Sequence, residues 1–269
     1  MRAVVNDLRI SLIQADTRWH DALGNQSLYG ALIRAVPKSE LIVLPETFLS
    51  GFSNTALDQA QTMQEANVRW LCDLANELDT VICGSLLIRN QGLVFNRLIW
   101  AEPKSSPQFY DKRHLFRMAG EHERYGAGRD RLIVELNGWR ICPMICYDLR
   151  FPVFSRNRFH SADQASRDYD VLIYVANWPA ARRYAWQTLL RARAIENLSY
   201  CVGVNRVGVD GNGLNYAGDS AVLDFQGQAL IECGAEPQTA NVTLSLSDLQ
   251  AFRARFPAYL DSDNFELSQ

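Results

Sequence analysis

The chain has 269 residues, 48% hydrophobic and 21% charged, which is ordinary globular composition with enough chain for one large core. Its 27 basic and 30 acidic side chains leave a net charge of −3 without a long run of one sign, which argues against a nucleic-acid partner. The best apolar runs, such as VLIYVA at 171–176, fall far short of the roughly 20 residues that span a bilayer. Asn6, Asp7 and Arg9 interrupt the N-terminal segment, so no secretion signal is expected and the chain reads as cytoplasmic.

In chain order, LRISLIQA (8–15) reads as a strand and 20–36 carries a helical apolar period. LIVLPE (41–46) is a strand, and 64–78 places Val68, Leu71, Ala75 and Leu78 on one helical stripe. The runs at 80–88 and 93–101 read as a hairpin across Asn90-Gln91-Gly92, and EPKSSPQ (102–108) as a loop. Strand-like runs follow at 131–136, 139–147, 170–177, 200–208, 220–225, 228–232 and 240–246. The longest helical period spans 180–198, 208–218 reads as a flexible loop, and SLSDLQAFRARF (245–256) offers a serine cap to a short last helix. Helices alternate with strands early and late, while consecutive strands pair in the middle. The expectation is an α/β protein with a mixed sheet, or two sheets, flanked by helices, in a single domain over 1–269.

The cysteines Cys72, Cys83, Cys142, Cys146, Cys201 and Cys233 are not dense enough to suggest a disulfide framework, and reduced thiols are expected. Cys142 and Cys146, four apart in an extended run, would sit about 13 Å from one another, too far to share a metal ion. His20, His114, His122 and His160 have no metal-ligand spacing, and the adjacent residues of EHE (121–123) cannot all face one ion in regular structure. GDSAV (218–222) lacks the framework of a serine nucleophile and reads as a turn into a strand. Gly211-x-Gly213 lacks the third glycine of a dinucleotide fingerprint.

Three polar residues stand where apolar runs end: Glu46 after LIVLP, Lys112 after FYD and Cys146 after RICPMI. Strand ends suit active sites because the sheet holds them while loops leave access. Singly, each has an ordinary reading: a solvated glutamate, a surface lysine, a core cysteine. Together, LPETF, YDKRHLF and CYDLRFP resemble, in order and approximate spacing, the motifs of the nitrilase superfamily of carbon–nitrogen hydrolases. The resemblance runs from ISLIQAD to YAGDSAVLDFQGQAL, and HLF and DLRFP look most like the ω-amidase branch.

The resemblance implies a four-layer αββα sandwich, pairing into a homodimer, a small-molecule amide substrate and no metal or organic cofactor. It implies that Cys146 attacks the amide carbonyl and forms a thioester. Glu46 would relay protons, and Lys112, with the Tyr147 backbone N–H, would stabilise the oxyanion. Glu121 matches the superfamily's additional glutamate, although Glu123 is a near alternative. Arg150 and Trp178 follow strand ends where a pocket wall would stand. Arg150 has two readings, an ion pair with Asp148 or Asp170 or a grip on a substrate carboxylate, and Arg117, Arg182 and Arg183 are the other arginines available for that grip. The helix at 180–198, with Trp186, Leu189, Leu190, Ile195 and its arginines, is the expected contributor to a dimer surface. The same triad would serve a nitrilase or an N-carbamoyl amidohydrolase, and an idle binding module on this fold is the alternative outside enzymes.

Overall fold

The computed structural model describes residues 7–158, 167–263 and 265–267, so His160 lies outside the described residues. The chain runs through β1 (Leu8–Gln14), α1 (Ala22–Ala35), β2 (Leu41–Val43), α2 (Ala66–Leu78), β3 (Val81–Asn90), β4 (Leu93–Ala101) and β5 (Gln108–Asp111). It continues through α3 (Glu121–Arg124), β6 (Val134–Leu136), β7 (Trp139–Ile145), α4 (Pro152–Ser155), β8 (Val171–Ala176), α5 (Arg183–Asn197) and β9 (Tyr200–Asn205). The last elements are β10 (Val207–Val209), β11 (Asn215–Ala217), β12 (Ala221–Leu223), β13 (Ala229–Glu232), β14 (Gln238–Leu244) and α6 (Leu246–Arg255).

Two six-stranded sheets result, in the orders β14-β1-β2-β3-β4-β5 and β13-β12-β9-β8-β7-β6. In each, parallel steps occupy the centre (β1–β2–β3 and β7–β8–β9) and antiparallel pairs form the rims. Parallel steps need crossovers, and α1, α2 and α5 supply them. Successive side chains alternate faces: Leu41 and Val43 of β2 enter the core shared by both sheets, while Ile42 and Leu44 pack under α1 and α2. Trp186, Leu190 and Ala194 of α5 cover the other face of the second sheet, and Leu246 and Leu249 of α6 join the same contiguous apolar cluster. The layers are therefore helices, sheet, sheet, helices, the αββα sandwich. Covering both faces of the central strands explains their near-continuous apolar runs.

The hairpin at Asn90 closes as expected: Asn90 pairs with Leu93, and Gln91 (φ 49°) and Gly92 (φ 82°) form a two-residue turn that needs left-handed backbone at both positions. Ser245 caps α6 by accepting from the Asp248 N–H at 3.2 Å. Two expectations change. Residues 207–217 are not a loose loop but a β10–β11 hairpin, whose turn is organised by Asp210 Oδ1 accepting from the N–H groups of Asn212 (2.8 Å) and Leu214 (3.0 Å). The face of α5 carrying Trp186 and Leu190 is not a free surface. It packs on β9, where a Cβ on Gly203 would meet Leu190 at 2.5 Å and Trp186 at 2.8 Å, so only a glycine admits the helix this closely. Among the described residues, no helix is long and apolar enough to cross a membrane.

Candidate active site

The C-terminal ends of the central strands of both sheets meet at one cleft. Past β2, the chain turns at Pro45–Thr47, with Thr47 left-handed (φ 42°) and its N–H held by Ser85 Oγ at 2.7 Å. The turn drives the Glu46 carboxylate into the interior, fully buried. Its Oε1 accepts from Asn96 Nδ2 at 2.7 Å and Lys112 Nζ at 2.9 Å, and its Oε2 accepts from the Asn177 N–H at 2.7 Å. A buried carboxylate is tolerated only when its oxygens are bonded in this way.

Lys112 leaves the end of β5 with its side chain almost wholly buried. Besides Glu46, Nζ lies 3.0 Å from each oxygen of Glu121 and 5.1 Å from the centre of the Phe52 ring. Burial works against the ammonium, but Glu121 and Glu46 outweigh it and hold the lysine charged well above its ordinary range. Burial and the neighbouring Glu46 charge push the Glu121 carboxyl up, against the pull of Lys112. The ambiguity between the two glutamates is resolved by geometry: Glu121 is buried on Lys112, whereas the Glu123 side chain is 70% exposed.

Cys146 begins a short 3₁₀ helix, Cys146–Arg150, directly after β7, and has left-handed backbone (φ 45°). That conformation costs a non-glycine residue roughly 1–2 kcal/mol, so the surrounding structure must enforce it. Its Sγ lies 3.9 Å from the Asn177 carbonyl and opens onto the cleft. Burial and the Glu46 charge raise the Cys146 thiol well above its ordinary value, with Lys112 pulling the other way. Cys142, four residues earlier in β7, is wholly buried in the apolar core. Glu46, Lys112 and Cys146 thus line a single cleft.

The carbon-nitrogen hydrolase family model matches residues 9–254. The chain belongs to that family. It is 46% identical over 266 residues to the omega-amidase YafV of Yersinia enterocolitica, covering 98% of this chain and all of that one. It is 29% identical to the 2-oxoglutaramate amidase of Bacillus subtilis, over 83% of this chain and 85% of that one. Among solved structures it resembles XC1258 from Xanthomonas campestris, a CN-hydrolase superfamily protein with an arsenic adduct in the active site. That likeness has a TM-score of 0.95 at 56% identity, over 98% of this chain and 100% of that one.

The remaining cleft walls of this carbon–nitrogen hydrolase come from four regions. Tyr147 and Arg150 follow the cysteine, and Phe116 and Ala119 follow the lysine. Trp178 is buried and bonded through Nε1 to the Arg182 carbonyl at 2.9 Å. Arg150 is not the ion-pair partner of either aspartate considered for it. Asp148 is held by Tyr110 and His114, and Asp170 by Arg253. The Arg150 guanidinium instead lies exposed in the cleft wall, 4.9 Å over the Trp178 ring. Arg182 also reaches the cleft, over Phe116, whereas Arg183 is committed to Asp219 through bonds of 2.7 and 3.1 Å. Arg117 is exposed away from the cleft lining.

Sequence reading missed Asn96 and Asn177, which hold Glu46, and Leu214 and Tyr216, which the β10–β11 hairpin brings to the cleft. The asparagines carry no charge signature, and their partner is 50 and 131 residues away. ANWP directly after an apolar strand was the available hint for Asn177.

Proposed function

We propose that this chain is an ω-amidase, hydrolysing the terminal amide of a small 2-oxo acid such as 2-oxoglutaramate to ammonia and the dicarboxylate. The observation that carries the reading is the buried Lys112 ammonium bridging Glu46 and Glu121 beside the strained Cys146 in an open cleft. The ω-amidase relatives across nearly the whole chain support the substrate class.

Because burial and Glu46 keep the resting thiol protonated, attack requires a base at the moment of reaction. Glu46 takes the thiol proton as Sγ bonds to the amide carbon and the carbonyl π pair moves onto oxygen. Lys112 and the Tyr147 backbone N–H stabilise that oxyanion, each such donor supplying about 3–4 kcal/mol. The C–N bond breaks, Glu46 gives its proton to nitrogen, and ammonia leaves a thioester on Cys146. Glu46 then deprotonates water for attack on the thioester and returns the proton to sulfur. Arg150, paired with neither Asp148 nor Asp170 and supported by Trp178, grips the substrate's far carboxylate.

The protein acts as a homodimer of 30.4 kDa chains in the cytoplasm, where a reducing environment suits its free thiols. With Trp186 and Leu190 turned inward, the exposed Tyr184 and Ile195 of α5 are what that helix offers a partner. Light scattering should give twice the chain mass.

Ammonia release from 2-oxoglutaramate, glutamine, a simple nitrile and an N-carbamoyl amino acid, assayed side by side, tests the function. The 2-oxo acid amide should be turned over fastest by at least about a hundredfold. A preference for the nitrile or the carbamoyl compound would replace the reading with one of those activities.

A further inference from the structure

We infer that Asp148 and His114 form a positioning pair that fixes the catalytic lysine against the catalytic cysteine. The inference rests on the roles proposed above for Lys112 and Cys146. Asp148 is fully buried, two residues past Cys146, and both of its oxygens are engaged. Oδ1 accepts from the His114 N–H at 3.0 Å and lies 2.7 Å from His114 Nδ1. Oδ2 accepts from Tyr110 OH at 2.7 Å and from the Ile145 N–H at 3.1 Å.

The sequence positions of these partners give the carboxylate its meaning. Tyr110 and His114 flank Lys112 by two residues on either side, and Ile145 immediately precedes Cys146. Tyr110 OH also accepts from the Arg113 N–H at 3.2 Å. One carboxylate therefore ties the segment that presents the ammonium to the turn that presents the thiol, across the gap between the two sheets. A surface ion pair would have no such reach. Here a charge shielded from water is bonded to backbone and side chains of both segments, where such bonds are strongest.

The pair also supports the cleft wall. The His114 ring stacks on Phe151 with centroids 3.8 Å apart, Phe151 meets Tyr147 edge-on at 5.1 Å, and Tyr147 meets Phe116 at 5.0 Å. The last two line the cleft. Neither Asp148 nor His114 lines it, so neither is assigned contact with substrate. Their effect would pass through Lys112 and Cys146. Glu46, Lys112 and Glu121 act on the Cys146 thiol, with Arg150, Arg182 and Tyr216 also lining the cleft, and loosening the clamp would weaken the pull of the Lys112 ammonium.

The experiment compares wild type with Asp148→Asn, His114→Ala and His114→Asn. Readouts are steady-state kinetics per alkylatable Cys146, the melting temperature, and the pH dependence of Cys146 alkylation by iodoacetamide. In wild type, Cys146 should be the thiol whose alkylation tracks inactivation; if another thiol tracks it, the proposed nucleophile falls and the clamp with it. With that established, Asp148→Asn should lower kcat by about a hundredfold, as a displacement near 1 Å does, with KM changed less than about threefold. Its alkylation profile should move to higher pH, because Lys112 no longer opposes the rise of the thiol. His114→Ala should behave similarly but more mildly, and His114→Asn should recover most of the loss, since its amide N–H can reach the carboxylate where Nδ1 stood. If Asp148→Asn fails to fold, the two His114 variants carry the test alone. A wild-type alkylation profile in the variants, or equal losses in His114→Ala and His114→Asn, would overturn the inference and leave Asp148 a purely structural anchor.

Discussion

Asn177 holds Glu46 twice: its backbone N–H donates to Glu46 Oε2 and its side-chain amide donates to the Glu46 carbonyl, both at 2.7 Å. The two residues follow β2 and β8, the middle strands of the parallel core of each sheet. The proposed base is therefore secured by the opposite sheet. Asn177→Ala should leave the buried Glu46 carbonyl without this donor and cost about 1–3 kcal/mol in stability. It should lower kcat by about ten- to a hundredfold through displacement of the carboxylate. Chemical denaturation and steady-state kinetics check both, and wild-type kcat would show that the backbone N–H alone positions Glu46.

Cys146→Ala should abolish turnover and leave the fold intact. Because residue 146 has φ 45°, Cys146→Gly should be the more stable of the two inactive variants by about 1 kcal/mol. Paired melting curves read the difference, and an alanine variant at least as stable as the glycine would mean the turn is not strained.

Lys112→Met should cut kcat at least about a hundredfold by removing an oxyanion donor. It should also destabilise the fold by about 3–5 kcal/mol, because Glu46 and Glu121 would face one another without their shared cation. Adding Glu121→Gln should restore part of the stability and none of the activity. That separation distinguishes the lysine's part in the fold from its part in the reaction.

Arg150→Lys should raise KM for 2-oxoglutaramate and leave a neutral amide such as hexanamide nearly untouched, since an ammonium cannot offer two parallel bonds to a carboxylate. Equal losses on both substrates would move the anchor to Arg182, the other arginine in the cleft wall.

Alkaline pH should weaken the fold through its buried thiols. Burial pushes Cys142 from the ordinary value of 9.0 up to about 12. Between those values the unfolded chain loses a proton that the folded chain keeps. The stability is fully present below pH 9 and declines above it by about 1.4 kcal/mol per pH unit for this thiol until about pH 12. Melting temperatures at pH 8 and pH 10 should fall less in Cys142→Ala than in wild type, and an unchanged slope would contradict the burial effect.

Much of this architecture was legible because its signals are local. The β3–β4 hairpin announced itself through Asn90-Gln91-Gly92, and the central strands through apolar runs long enough to be buried on both faces. Short or half-exposed elements were not legible. Nothing in the sequence marks the stretch before Lys112 as a strand, but Gln108–Asp111 is one, with only Tyr110 fully buried and too short for its period to show. The β10–β11 hairpin hid behind its glycines, since the Asp210 bonds that organise it depend on the turn already being formed.

The sequence by itself determined the candidate triad, because three motifs in fixed order constrain residue types that chemistry cannot exchange. It also determined the layered class, because alternation and helical period are properties of neighbouring residues. Tertiary structure alone decided which glutamate meets Lys112, why Arg150 is free of Asp148 and Asp170, and that Asn96 and Asn177 hold Glu46. Each of those outcomes is a competition among buried polar groups for partners up to 131 residues away. A buried charge must find its hydrogen bonds wherever the packed sheets bring donors within reach, and only the assembled sandwich specifies which donors those are.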